Sequence, residues 1–145
     1  MTTLNLETAD QIADACLAAG REAGFAPLTV AVLDAGGHTI VMKRSDGSGI
    51  LRCEIAFGKA WGALGMGLSS RALAKRSAGA PLFYQAIAAA SEGRVIPVPG
   101  GVLIRDAEKR IVGAIGVSGD ASDNDEACAA KAVASVGLVP DTEER

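Results

Sequence analysis

The chain has 145 residues, of which 49% are hydrophobic and 21% charged, and a net charge of −3. That length and balance describe one globular domain, residues 1–145, able to bury about two thirds of its unfolded surface. Aromatic residues make up 3% and no cationic stripe accompanies them, which excludes a basic, base-stacking nucleic-acid binder. No apolar run approaches the roughly 20 residues that span a bilayer, so no membrane partner is expected. The opening MTTLNLETAD has neither the basic nor the apolar region of a signal peptide. Cys16, Cys53 and Cys128 are odd in number and scattered, as reduced thiols of a cytoplasmic protein would be.

In chain order, Asn5 is placed to cap a helix from Leu6 to about Ala23. Ala9, Ile12, Ala13, Cys16, Leu17 and Gly20 recur there at helical spacing. Leu28 to Asp34 is apolar on both faces, as a central strand would be. Ala35-Gly36-Gly37-His38 supplies a hairpin turn, and Thr39 to Arg44 the return strand. A long helix is expected from about Ile50 to Met66, with shorter ones at Ser70–Arg76 and Pro81–Ser91. Strands follow at Arg94–Val98, Val102–Arg105 and Arg110–Val117, the last two joined by the turn Asp106-Ala107-Glu108-Lys109. A final helix runs from about Asn124 to Val136, with Ser122 or Asp123 as its cap, and residues 139–145 read as a loose C-terminal tail. The order α-β-β-α-α-α-β-β-β-α predicts an α+β fold, a five-stranded antiparallel sheet with flanking helices.

Glycines mark the places where something comes close. Gly113, Gly116 and Gly119 recur every third residue, and Gly100 and Gly101 follow Pro99. A bare glycine in a strand admits another backbone or a flat ligand, and the amides of Ser118 and Gly119 can form an anion nest. Gly58, Gly62 and Gly65 share one stripe of the long helix, each costing about 1 kcal/mol relative to Ala. Either a neighbouring element or a flat ligand occupies that stripe. Arg52 and Lys59 lie beside it and can hold a ligand carboxylate, or form a solvated set with Glu54.

His38 is the only histidine. A zinc site needs three or four ligands at workable spacing, and nothing here has that pattern. His38 reads as an exposed turn residue, a haem-iron ligand or an acid–base group, with Tyr84, Lys59 and Met66 as weaker axial candidates. No Cys-x-x-Cys-His motif exists, so covalent haem attachment is excluded. Asp34 either caps the hairpin through its side chain or acts as a base, and Arg44 and Asp46 can pair across the following turn. Asp120, Asp123, Asp125 and Glu126 surround a helix start, where acids suit the dipole; the EF-hand spacing is absent.

PGGVLIRD at Pro99–Asp106, GAIGVSGD at Gly113–Asp120, VAVLDAGGH at Val30–His38 and KRSDG at Lys43–Gly47 together resemble the GlcG/HbpS family. The same domain is met at the C-terminus of PduO-type adenosyltransferases. Glu54–Leu73 also fits, so the resemblance spans roughly residues 4 to 136; one departure is Leu103, where the family commonly has Pro. The resemblance implies a five-stranded sheet flanked by helices, homo-oligomers, and haem or another flat, anionic small molecule as ligand. That ligand would sit against His38, Arg52, Lys59, Gly62, Gly100, Gly101, Gly116, Ser118 and Gly119, with Arg105 also able to meet a propionate. The alternative is a cofactor-free isomerase, lyase or hydrolase acting on a carboxylated substrate. It would use His38 or Asp34 as base, Lys59 as cation and the Ser118-Gly119 amides as an oxyanion site. A third reading is an accessory subunit whose glycines serve assembly alone.

Overall fold

The computed structural model describes residues 4–145. Helix α1 (Leu6–Ala23) starts where the Asn5 side chain accepts the Thr8 N–H at 2.9 Å and stops at Gly24, whose φ of 74° closes the last turn. Strands β1 (Thr29–Asp34) and β2 (Thr39–Arg44) form the first hairpin. Helices α2 (Arg52–Met66), α3 (Ser70–Gly79) and α4 (Pro81–Ala90) come next. Strands β3 (Gly101–Arg105) and β4 (Ile111–Ser118), helix α5 (Ser122–Ser135) and strand β5 (Val139–Asp141) complete the chain. The strands make one antiparallel sheet in the order β2-β1-β4-β3-β5. Among the described residues, no helix is long and apolar enough to cross a membrane.

Strand alternation divides the core between two faces. Val30, Val32, Val102, Ile104, Ile115 and Val117 point at α1 and α5. Ala31, Leu33, Leu103 and Ala114 point at α2, which answers with Ala56, Ala60 and Ala63. Small residues on both sides let that helix lie very close to the sheet. A Cβ at Gly101 would strike the Lys59 carbonyl, and one at Gly116 the Ala56 carbonyl, so the helix backbone itself fills the space those strand glycines leave.

Three expectations are corrected. Arg94–Val98 is not a strand: it crosses α2, with the Ile96 N–H donating to the Gly58 carbonyl at 3.3 Å. Pro97 and Pro99 lack the donors that a ladder would need. The fifth strand instead comes from the supposed tail, where Val139–Asp141 pairs with β3. Residues 139–145 are tied down further, since Asp141 accepts from Arg105 at 3.0 Å and the Glu143 carbonyl from Ser69 at 2.8 Å. The cap of α5 is Ala121 rather than Ser122 or Asp123. Asp120 takes over, accepting from the Ala121 N–H at 2.8 Å and from Asn124 at 2.7 Å.

Candidate functional site

The sheet register separates the predicted site residues into two groups. Thr29 faces Ser118 across the β1–β4 ladder and Asp34 faces Gly113. Five residue steps at about 3.3 Å each put the two ends roughly 16 Å apart. Arg52, Lys59, Ser118, Gly119 and Gly100 gather at one end, and His38 and Asp34 stand at the other.

The first end is closed. Lys59 is 3% exposed, donates to the Val117 carbonyl at 2.8 Å and pairs with Asp125 at 3.3 Å. Burial pushes the Lys59 ammonium below its ordinary value, with Asp125 opposing. Burial likewise pushes the Asp125 carboxyl up, against the pull of the Asp120 N–H and Lys59. Arg52 donates to the Ser118 hydroxyl at 2.9 Å. Gly100, with φ of 126°, leaves room for the Lys59 amine, where a Cβ would stand only 2.8 Å from the nitrogen. At Gly119 a Cβ would run into the Pro27 carbonyl, so the chain at residues 27 and 28 covers the turn that was expected to form an anion nest. On α2, Gly58 and Gly62 are filled by the 94–96 segment. A Cβ at Gly58 would lie 2.6 Å from the Ile96 side chain, and one at Gly62 3.0 Å from Val95. Gly65 differs, having nothing within 4 Å.

The other end is open. The His38 side chain is 81% exposed, and its Nδ1 lies 3.1 Å from Asp34 Oδ1. That oxygen also accepts the backbone N–H groups of Gly36 at 2.9 Å and His38 at 3.0 Å. The His38 backbone N–H, followed by that of Gly36 and the His38 ring, holds the Asp34 carboxyl below its ordinary value. An ionised carboxylate only accepts, so the Nδ1 facing it carries a proton, and in the neutral ring Nε2 is the nitrogen left with a lone pair. Among the described residues Nε2 has no hydrogen-bond partner. The turn needs Gly37, with φ of 83°, and rests on Trp61, whose ring a Cβ there would meet at 3.2 Å.

Trp61 starts an aromatic row. Phe57 stacks beside it, with centroids 6.4 Å apart and planes 24° apart, and the Arg94 guanidinium lies 4.3 Å from the ring centroid. Phe57 also lines a cleft of about 530 Å³ with Met42, Leu51, Ile55 and Ile96, edged by Cys53, Glu54 and Arg94. It exists because α2 lies mainly over β4, β1 and β3 and leaves the matching face of edge strand β2 largely bare. Sequence reasoning missed it, although Phe57 and Trp61 stand four apart on one helix face. Tyr84 and Met66 pack instead in a small cluster with Leu73, and Arg105 is engaged by Asp141. Among the described residues no group of three or more His, Cys, Asp or Glu is placed to hold a metal ion.

A helix-covered antiparallel sheet with a carboxylate-held histidine and an apolar cleft defines a small single-domain α+β protein. The chain belongs to the HbpS-like family, matching the family described as "Haem degrading protein HbpS-like" over residues 4–134. It is similar to a crystal structure of HbpS, at 33% identity and TM-score 0.80, covering 94% of this chain and 92% of that one. Protein ORFY of Klebsiella pneumoniae is similar at 26% identity and TM-score 0.82, covering 92% and 90%. A crystal structure of a PduOC:heme complex, at 24% identity and TM-score 0.84, covers 94% and 97% and shares the fold. No curated protein matches the chain.

Proposed function

We propose that this protein binds haem, or a closely related flat and anionic tetrapyrrole, on the open face formed by the β1–β2 hairpin, Trp61, Phe57 and the Met42 cleft. The His38–Asp34 pair carries the reading. Histidines that ligate metals characteristically donate their other ring N–H to a carboxylate, which fixes the tautomer and raises ligand basicity. His38 has that arrangement, with Nε2 free and the ring exposed. The apolar row and cleft suit a macrocycle, since small-ligand sites are mostly apolar and commonly span about 300–1,000 Å³. Arg94 donates through Nε to the Ser91 carbonyl at 2.9 Å, which leaves the rest of its guanidinium for a ligand carboxylate. The kinship with HbpS and the likeness to a PduOC:heme complex point the same way.

When bound, haem supplies a redox-active iron centre. This chain's own residues would orient it: His38 through Nε2, Phe57 and Trp61 as an apolar support, and Arg94 as a cation for a carboxylate. Assembly into homo-oligomers is part of the proposal, because Ile50, Leu51, Leu82 and Phe83 are 94%, 62%, 81% and 54% exposed. Exposed apolar groups that large favour a protein partner. The catabolic-enzyme alternative draws no support from the geometry, which sets Asp34 and His38 at the opposite end of the sheet from Lys59 and Ser118.

Haemin titration followed at the Soret band tests the proposal, with Leu51→Glu and Phe57→Ala as cleft variants. Saturation at one haem per chain, weakened in both variants, is the expected result. A linear, unsaturable response in the unaltered protein would overturn it.

A further inference from the structure

Arg44 and Asp46 do not pair with each other across the turn after β2. Arg44 instead donates to the Ser48 carbonyl at 2.7 Å, which pins its guanidinium in place. Together with Arg21, from the last turn of α1, the two line a cavity of about 490 Å³. Among the described residues, none of these three side chains forms an ion pair. Other arginines do so readily: Arg71, Arg105, Arg110 and Arg145 each have a carboxylate partner. The end of α1 makes no demand on Arg21 and Arg44 either, since the Gly24 and Phe25 N–H groups bond the Arg21 and Gly20 carbonyls. Apart from Ser45, the remaining wall is apolar, built mainly from Leu17, Phe25, Pro27 and Leu28.

We infer that this cavity binds a small organic monocarboxylate with an apolar body. Two guanidinium groups, neither paired with a carboxylate among the described residues, provide charge-assisted, fork-shaped recognition of a ligand carboxylate, and the apolar wall takes the rest of the molecule. Asp46 and the negative end of the α1 dipole stand close by, so a second negative charge is penalised; this disfavours a phosphate dianion. The cavity lies where the end of α1 meets the start of β1, at the end of the sheet away from His38 and Asp34. It is therefore independent of the haem reading and can fail or stand without it.

Isothermal titration of the purified protein with hexanoate and with benzoate tests the inference, with hexanamide and inorganic phosphate as controls. One carboxylate per chain should bind saturably, and hexanamide should not. Arg21→Ala should weaken that binding by about tenfold or more, the loss of a charged hydrogen bond, while Asp46→Asn should tighten it. Arg21 is exposed, so its variant should fold unchanged by circular dichroism; Arg44→Gln adds a second readout for the same prediction. Four results would each overturn the inference: no saturable binding of either carboxylate, equal binding of the amide, phosphate displacing the carboxylate at equal concentration, or unchanged affinity in Arg21→Ala.

Discussion

Lys59 reaches from α2, on one face of the sheet, past the end of β4 to Asp125 in the first turn of α5 on the other. Both side chains are almost wholly buried, at 3% and 1% exposure. Asp125→Asn keeps the shape and removes the charge, leaving the ammonium beside the Val117 carbonyl with no countercharge. Breaking a buried pair from one side costs about 3–5 kcal/mol, because a lone charge stays buried. For a chain of this length that corresponds to a fall in Tm of roughly 8–15 °C. Lys59→Met, which strands the carboxylate instead, should cost a similar amount. The Lys59→Met/Asp125→Asn double variant should be clearly more stable than the sum of the single losses, because neither charge is then left buried without its partner. Urea unfolding at neutral pH, followed by circular dichroism, measures all three. Single losses below about 1 kcal/mol, the range of exposed pairs, or strictly additive losses would refute the reasoning.

Other predictions follow from the same geometry. Gly65→Ala should stabilise the protein by about 0.5–1 kcal/mol, since nothing lies within 4 Å of the added methyl. Gly116→Ala should destabilise by at least about 1–3 kcal/mol, as α2 is forced off the sheet; denaturant melts distinguish the two. Cys53 lines the cleft while Cys16 and Cys128 are buried, and desolvation raises both buried thiols. One thiol should therefore react with a disulfide reagent in the native state and three after unfolding, and bound haemin should slow the first. In the acid range, Asp125 binds its proton more tightly folded than unfolded, so its contribution to stability falls as pH rises from 3.8 through its raised folded value. Lys59, lowered on folding, gives the reverse slope between its folded value and 10.5, where the unfolded chain holds more protons. Stability curves against pH should lose both contributions in the double variant.

Local chemistry explains what was legible in the sequence. α1 announced itself through Asn5 and the spacing of Ala9, Ile12, Ala13 and Cys16, and the first hairpin through Gly36-Gly37. Arg94–Val98 misled because its apolar residues outweighed Pro97 within it and Pro99 just after it, although its real partner, the Gly58/Gly62 stripe, was already in view. β5 escaped notice because three residues containing Pro140 carry almost no strand pattern; its pairing with β3 is decided by tertiary contact. The glycines signalled close approach correctly but not what approaches. Whether Gly116 faces a helix or a ligand depends on Ala56, 60 residues away in the chain. Lys59 was similarly ambiguous, its partner Asp125 lying 66 residues further on. The cleft required Met42 of β2 and Phe57 of α2 to be seen as neighbours, and no local pattern links them. His38 and Asp34 were each singled out on the first hairpin, but as separate candidates; the turn between them is what brings Nδ1 to the carboxylate.

The claim that His38 holds haem iron through Nε2, with Asp34 behind it, is tested most directly by absorption and electron paramagnetic resonance spectra of the ferric haem complex. The unaltered protein, His38→Ala and Asp34→Asn should be compared at equal haem loading. The account predicts a histidine-ligated spectrum that is lost in His38→Ala and perturbed, with weaker binding, in Asp34→Asn. An identical spectrum and affinity in His38→Ala would contradict it.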